Sequence, residues 1–147
     1  MEEFVSRSPE ETRAIGRRIA AALTPGRVLA LEGDLGAGKT CLTEGIARGL
    51  GFTGEVNSPT FALVNEYRGG RLDLFHFDMY RVTGWEDLYS TGFFDYLEEA
   101  ADPAAGGALA VEWSENIAAA LPDHTVTVSV LAQPDGSRKI TVEGMEI

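Results

Sequence analysis

The chain has 147 residues, 44% of them hydrophobic, and 12 lysines and arginines against 23 aspartates and glutamates give a net charge of −11. This length predicts one domain, residues 1–147, with a core of its own. The acidic balance argues against a protein that grips nucleic acid or an anionic membrane surface by charge, because both need a basic face. The single cysteine, Cys41, allows no internal disulfide, which favours the cytoplasm. Neither a secretory signal nor a membrane span is predicted.

The first predicted element is a helix that begins after Ser8. The sequence Ser8-Pro9-Glu10-Glu11 is a capping box with proline in the first helical position. Residues 28–31 form a wholly apolar run, which predicts a central strand covered on both faces. A glycine-rich turn and a helix over Lys39–Leu50 follow. This order of strand, loop and helix predicts a parallel sheet.

The rest of the chain adds short strands and short helices. The sequence Gln133-Pro134-Asp135-Gly136 joins the last two strands into an antiparallel hairpin. Together the elements predict an α/β fold, with a mostly parallel central sheet flanked by helices and a C-terminal antiparallel hairpin. In chain order the remaining elements are strands over 61–67 and 72–80, helices over 85–88 and 93–98, a strand over 108–113, a weak helix over 114–121, and strands over 126–130 and 138–143.

The turn before the second helix carries the most informative motif. The residues Gly33-Asp34-Leu35-Gly36-Ala37-Gly38-Lys39-Thr40 match G-x-x-x-x-G-K-[ST] at every position. Glycines let backbone N–H groups approach phosphate oxygens, and the helix N terminus adds the positive end of its dipole. Lys39 supplies a charge for the terminal phosphates, and the Thr40 hydroxyl can ligate Mg²⁺. The motif predicts a P-loop nucleotide-binding fold that takes a nucleotide with Mg²⁺. Cys41, the next residue, is also predicted to bind the cofactor, although by itself a cysteine at this position is typical of a small buried side chain.

Two carboxylates are candidates for the metal. Asp78 and Glu112 each close an apolar strand, and ligands bind at the carboxyl edge of an open α/β sheet. Either could be an ordinary solvent-facing carboxylate, but the phosphate loop in the same chain favours a magnesium role for at least one of them. Their positions do not decide which one ligates directly and which acts through water.

Three further residues allow two interpretations each. The segment that ends at Thr60 suits a mobile switch sensing the γ-phosphate, or a turn made rigid by Pro59. His76 is typical of a packed strand histidine rather than a base. Trp113 is typical of a core residue rather than a stacking platform.

Four blocks in this order resemble the TsaE family, the bacterial P-loop ATPases needed to make threonylcarbamoyl-adenosine next to the tRNA anticodon. The resemblance covers nearly the whole chain, and the last three blocks are more specific than the phosphate loop, which many families share. The blocks are Gly33-Asp34-Leu35-Gly36-Ala37-Gly38-Lys39-Thr40, Val56-Asn57-Ser58-Pro59-Thr60-Phe61, His76-Phe77-Asp78-Met79-Tyr80-Arg81 and Glu112-Trp113-Ser114-Glu115.

The resemblance implies roles in hydrolysis. Thr40 and Glu112 would hold Mg²⁺, and Asp78 would be essential for hydrolysis by orienting water or metal. Thr60 would belong to a switch segment near the γ-phosphate. With Lys39 on the phosphates, these residues would form the catalytic and metal sites.

The resemblance also implies contacts and partners. Trp113 would lie beside the nucleotide, Arg138 would contact it, and the segment around residues 9–12 would line the adenine pocket. Family members work with the TsaD–TsaB pair, so the chain would act on tRNA only indirectly. Its ATP hydrolysis would be slow alone and stimulated by the partner.

Two other functions remain open on the sequence alone. A small-molecule kinase could use the same loop, although the arginines are scattered and no lid insertion is evident. A nucleotide-gated binding module without significant turnover is the second alternative. A GTPase is disfavoured, because the chain contains no Asn-Lys-x-Asp sequence for reading guanine.

Overall fold

The computed structural model describes residues 1–33, 38–56 and 63–147. The predictions that concern Asp34, Leu35, Gly36, Ala37 and Thr60 therefore lie outside the described residues. Four α-helices lie in the described part: α1 (Pro9–Ala22), α2 (Lys39–Leu50), α3 (Trp85–Ser90) and α4 (Phe93–Ala100), with a 3₁₀ helix over Ser114–Ala120. The strands of the described part are β1 (Glu2–Ser6), β2 (Val28–Gly33), β3 (Val64–Tyr67), β4 (Asp73–Asp78), β5 (Gly107–Glu112), β6 (Val126–Ala132) and β7 (Arg138–Glu143).

The strands form one sheet in the order β1-β7-β6-β2-β5-β4-β3. The central strands β6, β2, β5 and β4 run parallel to one another. The outer pairs β1–β7, β7–β6 and β4–β3 are antiparallel. The predicted α/β fold, with its parallel centre and its C-terminal antiparallel hairpin, is confirmed.

Hydrophobic side chains cover both faces of the sheet. Leu29 and Leu31 of β2 pack on one face with the apolar sides of α1 and α2. Val28 points to the other face, where it joins Phe75 and Phe77 of β4 and residues of α3 and α4. Because successive strand residues alternate between faces, a strand buried on both faces must be apolar throughout. Among the described residues, no helix combines the length and the apolar character that crossing a bilayer requires.

Helices α1 and α2 pack at unusually short range. A β-carbon at Gly45 of α2 would lie 2.2 Å from the Arg13 carbonyl oxygen of α1, and one at Gly16 would lie 2.5 Å from the Leu42 carbonyl oxygen. These glycines let the two backbones touch. The start of α1 is fixed by the predicted cap, since Ser8 Oγ accepts the Glu11 N–H at 3.1 Å. The position of α2, which begins at Lys39, is therefore set by its contact with α1.

Three of the differences from the sequence prediction have a clear structural cause. Strand β1 was not predicted; it lies at the sheet edge, and backbone pairing with β7 holds it. Strand β4 ends at Asp78 instead of residue 80, because the Asp78 carboxylate accepts the Tyr80 N–H at 2.9 Å and turns the chain. Strand β5 ends at Glu112 instead of residue 113, because Trp113 takes a left-handed conformation with φ 58°.

Candidate nucleotide-binding site

Glycines lie on both sides of the phosphate-loop segment: Gly33 before it and Gly38 after it. Gly33 has φ 139°, and a β-carbon there would lie 2.1 Å from the Val130 carbonyl oxygen. Gly38 precedes α2 with φ 110°, and no described side chain caps this helix. Both conformations belong to glycine. Among the described residues no side chain therefore occupies the N–H groups at the positive end of the α2 dipole, which suits phosphate binding.

A chain of three polar side chains, one buried and two partly buried, lies beside the start of α2. Lys39 Nζ lies 3.6 Å from Glu112 Oε1, and the two side chains are only 12% and 15% exposed. The other carboxylate oxygen, Oε2, lies 2.7 Å from His76 Nε2, and His76 is 1% exposed. Glu112 is therefore held between a lysine and a histidine at the carboxyl end of β5.

Glu112 is favoured in its ionised form. Burial opposes ionisation, but the hydrogen bond from His76 and the nearby Lys39 ammonium together lower the pKa of Glu112 from its ordinary value. His76 Nδ1 is buried and has no hydrogen-bond partner among the described residues. A buried N–H without a partner is costly, so the tautomer with its proton on Nε2 fits best, and Nε2–H donates to Glu112.

Asp78 lies at the end of β4, the strand that neighbours β5 and its terminal Glu112. The two residues are opposite each other in the parallel β4–β5 ladder, so both candidate carboxylates stand at the carboxyl edge of the sheet, as predicted. They also share the sheet face that α1 and α2 cover, since Leu74, four positions before Asp78, and Ala110, two positions before Glu112, belong to that core. The Asp78 carboxylate accepts the Tyr80 N–H, whereas Glu112 contacts Lys39.

The residues present fit a magnesium ion held with a nucleotide. Among the described residues no group of three or more His, Cys, Asp or Glu could hold a metal. Mg²⁺ in phosphate-transfer sites takes one or two protein ligands, and phosphates and waters supply the rest. The Thr40 hydroxyl in the first turn of α2 and the Glu112 carboxylate are oxygen donors of this kind, with Asp78 as a further candidate.

Two clefts flank the start of α2. One, of about 250 Å³, is lined by Gly33, Lys39 and Trp113 together with Glu32 and Glu115. Lys39 and Trp113, each expected at the nucleotide site, therefore line the same cleft.

The second cleft, of about 240 Å³, is lined by Gly38, Cys41 and Arg138 and by Pro9 and Thr12 of α1. It brings together the predicted Arg138, Cys41 and N-terminal segment. Trp113 lines the first cleft and Arg138 lines the second.

Sequence reasoning missed the contact between His76 and Glu112. His76 pairs with Ala110 in the ladder, so Glu112 is its diagonal neighbour on the same face, within reach of a long side chain. The spacing of His76 and Asp78 would have indicated a shared face, but only the adjacency of β4 and β5 reveals the partner. Tyr80 was also missed; its ring lies 5.0 Å from that of Trp113, edge to face.

Comparisons with known proteins agree on one family. The model of the family described as "Threonylcarbamoyl adenosine biosynthesis protein TsaE" matches residues 6–140. A tRNA threonylcarbamoyladenosine biosynthesis protein TsaE from Treponema pallidum is 42% identical, over 94% of this chain and 97% of its own length. The protein of the same name from Bacillus subtilis is 42% identical, over 91% of this chain and 80% of its own.

A solved structure is also similar. The crystal structure of YdiB from Bacillus subtilis superposes with a TM-score of 0.76 at 38% identity, and the match covers 96% of this chain and 83% of that one. Fold and sequence thus lead to the same group of proteins.

Proposed function

The chain belongs to the TsaE family of tRNA threonylcarbamoyladenosine biosynthesis, and from this premise we propose that it is a cytoplasmic single-domain P-loop ATPase that supports this modification. It binds Mg·ATP at the N terminus of α2 and hydrolyses it. The observation that carries the proposal is the contact of 3.6 Å between Lys39 Nζ and Glu112 Oε1. It supports the proposal because an ammonium that can bind phosphate and a carboxylate that can ligate a metal lie side by side at the carboxyl edge of a parallel sheet.

Each polar side chain of the site has a distinct task in this proposal. Lys39 binds the terminal phosphates, and Thr40 and Glu112 hold Mg²⁺, which when bound neutralises charge that builds up on the β- and γ-phosphates. His76 is a positioning residue, since its Nε2–H fixes Glu112 Oε2 at 2.7 Å. Asp78 orients the attacking water or serves as a further metal ligand. Thr60 completes the site from the switch segment.

The nucleoside lies in the cleft of Arg138, Cys41 and Thr12 in this proposal. That cleft opens beside Gly38 at the start of α2, so a nucleotide whose phosphates lie over the loop can reach it with its base. Trp113 lies in the other cleft, with Lys39, beside the phosphates. ATP and ADP share this binding mode.

Partner proteins complete the function. We place the chain's action on the TsaD–TsaB pair, with tRNA engaged only indirectly, because the net charge of −11 opposes direct contact with tRNA. Hydrolysis by the isolated chain is slow, and the partner accelerates it. An arginine supplied by a partner to a phosphoryl-transfer site is worth about 10³–10⁵ in rate. Submicromolar binding of free tRNA by the isolated chain, or no acceleration by the pair, would contradict this part.

Labelled ATP tests the reaction itself. With the γ-phosphate labelled, we expect the label to end on water, whereas a small-molecule kinase would pass it to an acceptor. Asp78→Asn should abolish hydrolysis and leave ADP affinity within a factor of about three. Asp123→Asn, at an exposed carboxylate outside the four motif blocks, is the matched control. Hydrolysis that survives Asp78→Asn would remove Asp78 from the mechanism, and no hydrolysis with or without the pair would leave only a nucleotide-gated binding module.

A further inference from the structure

Three aromatic rings form an exposed surface on α3 and α4, here called the aromatic face: Trp85, Tyr89 and Phe94. Trp85 is 54% exposed and Tyr89 66% exposed. The Trp85 ring is stacked on Phe94 with an angle of 13°, and Tyr89 lies 5.1 Å from Phe94. Rings held against one another lose little freedom when a partner covers them, and Trp and Tyr are the residues that dominate binding interfaces. Phe94 is partly buried and packs against the core, whereas Trp85 and Tyr89 lie outside it.

The aromatic face lies in the most acidic part of the chain. Residues 82–123 contain nine acidic residues and neither lysine nor arginine, so they contribute −9 to the net charge of −11. Glu86 and Asp95, on the same two helices, are exposed, and no ion pair of the described residues includes them. Elsewhere Arg68 pairs with Glu66, Asp73 and Glu99. Exposed carboxylates without an ion-pair partner among the described residues thus border the aromatic face, and they can pair with cationic groups of another molecule.

A notch beside this surface is lined by residues that follow the candidate nucleotide site closely along the chain. It has about 100 Å³ and lies between Trp85 and Leu88 of α3 and Ile117 of the 3₁₀ helix. Asn116, which also lines it, donates from Nδ2 to the carbonyl oxygens of Met79 and Tyr80 at 2.9 and 3.3 Å. The 3₁₀ helix follows directly on Glu112 and Trp113, and Tyr80 follows on Asp78. The notch is therefore tied to the chain segments that carry both candidate carboxylates.

We propose that the aromatic face and its notch are the docking surface for a protein partner that presents arginine or lysine side chains around an apolar centre. An arginine fits both features, because its guanidinium stacks on aromatic rings and pairs with carboxylates. A nucleic acid or an anionic membrane is repelled by the same charge. The inference rests on the proposed function, which supplies the partner as the TsaD–TsaB pair, and adds to it the surface on this chain that the pair contacts.

Binding of the purified TsaD–TsaB pair, measured by titration calorimetry, tests the surface with two variants. Trp85→Ser/Tyr89→Ser removes the rings, and Glu86→Lys/Asp95→Lys reverses the border charges. Each should weaken binding at least tenfold, while ATP hydrolysis by the isolated chain stays unchanged. The matched controls are Val5→Ser, at a valine 59% exposed on the far sheet edge, and Glu143→Lys, at an exposed carboxylate of β7. Both should bind the pair as the original chain does.

Other results distinguish a failure of this inference from a failure of the proposed function. If the original chain binds the pair and both double variants bind equally well, the pair docks elsewhere and this inference is wrong. If the original chain does not bind the pair, the partner assignment of the proposed function fails, and this surface loses its occupant with it. A dimer of the original chain in sedimentation that the Trp85→Ser/Tyr89→Ser variant loses would show a second copy as the occupant, which also overturns the proposal.

Discussion

The contact between α1 and α2 makes a quantitative prediction at Gly45. In Gly45→Ala the new β-carbon would lie 2.2 Å from the Arg13 carbonyl oxygen and 2.8 Å from its carbonyl carbon. That is about 1 Å or more inside an ordinary contact, and the obstacle is helix backbone, which cannot turn aside. Overpacking of this kind costs about 1–3 kcal/mol or more, whereas alanine in mid-helix gains about 1 kcal/mol over glycine. We expect a net loss of about 1–2 kcal/mol in the free energy of unfolding.

Urea denaturation measures this loss, and ATP binding tests its consequence. Because α2 begins at Lys39, a displaced α2 should also weaken Mg·ATP binding. Gly84→Ala is the matched control, since a β-carbon there meets nothing within 4 Å and its φ of −171° suits any residue. Gly84 is the N-cap of α3, so the substitution should cost at most about 1 kcal/mol and should leave Mg·ATP binding unchanged. An increase in stability for Gly45→Ala would mean that helix propensity dominates and that the helices are not in backbone contact.

Two other substitutions test hydrogen bonds to carboxylates. Tyr96→Phe removes the hydroxyl that donates to Glu66 at 2.8 Å. That bond, together with Arg68 and against a smaller effect of burial, lowers the pKa of Glu66. The loss of about 0.5–1 kcal/mol should be present at pH 7 and fade as the pH falls through the Glu66 pKa; a loss that is constant with pH in urea titrations would contradict it. His76→Phe removes the donor to Glu112 and should cost about 1–2 kcal/mol in the same assay at pH 7, and an unchanged midpoint would show that this bond is not formed.

The sequence predicted those parts of the fold that local patterns determine. The apolar run of β2, the capping box at Ser8 and the turn before β7 each depend on neighbouring residues, and each is where the pattern placed it. The phosphate-loop motif and the acidic residues that close the apolar runs at Asp78 and Glu112 could be read in the same way, although β4 and β5 themselves were predicted to end two residues and one residue later.

Other features depend on contacts between distant segments. Strand β1 forms because its backbone pairs with β7, and the side chains of residues 2–6 do not predict this pairing. The bond from His76 to Glu112 requires β4 to lie beside β5 in the sheet. The left-handed conformation of Trp113, a residue type that rarely adopts it, follows from the turn into the 3₁₀ helix. The aromatic face needed the fold, because only exposure distinguishes its rings from core residues.

In the proposed function the start of α2 binds a nucleoside triphosphate through Lys39. Titration calorimetry with Mg·ATP measures this directly, and the chain provides its own control, since it contains two lysines. The other, Lys139, pairs with Glu3 at 3.4 Å on the surface. We expect the original chain and Lys139→Ala to bind Mg·ATP with the same affinity and Lys39→Ala to lose at least tenfold. No heat from the original chain, or equal affinities for all three, would contradict the account.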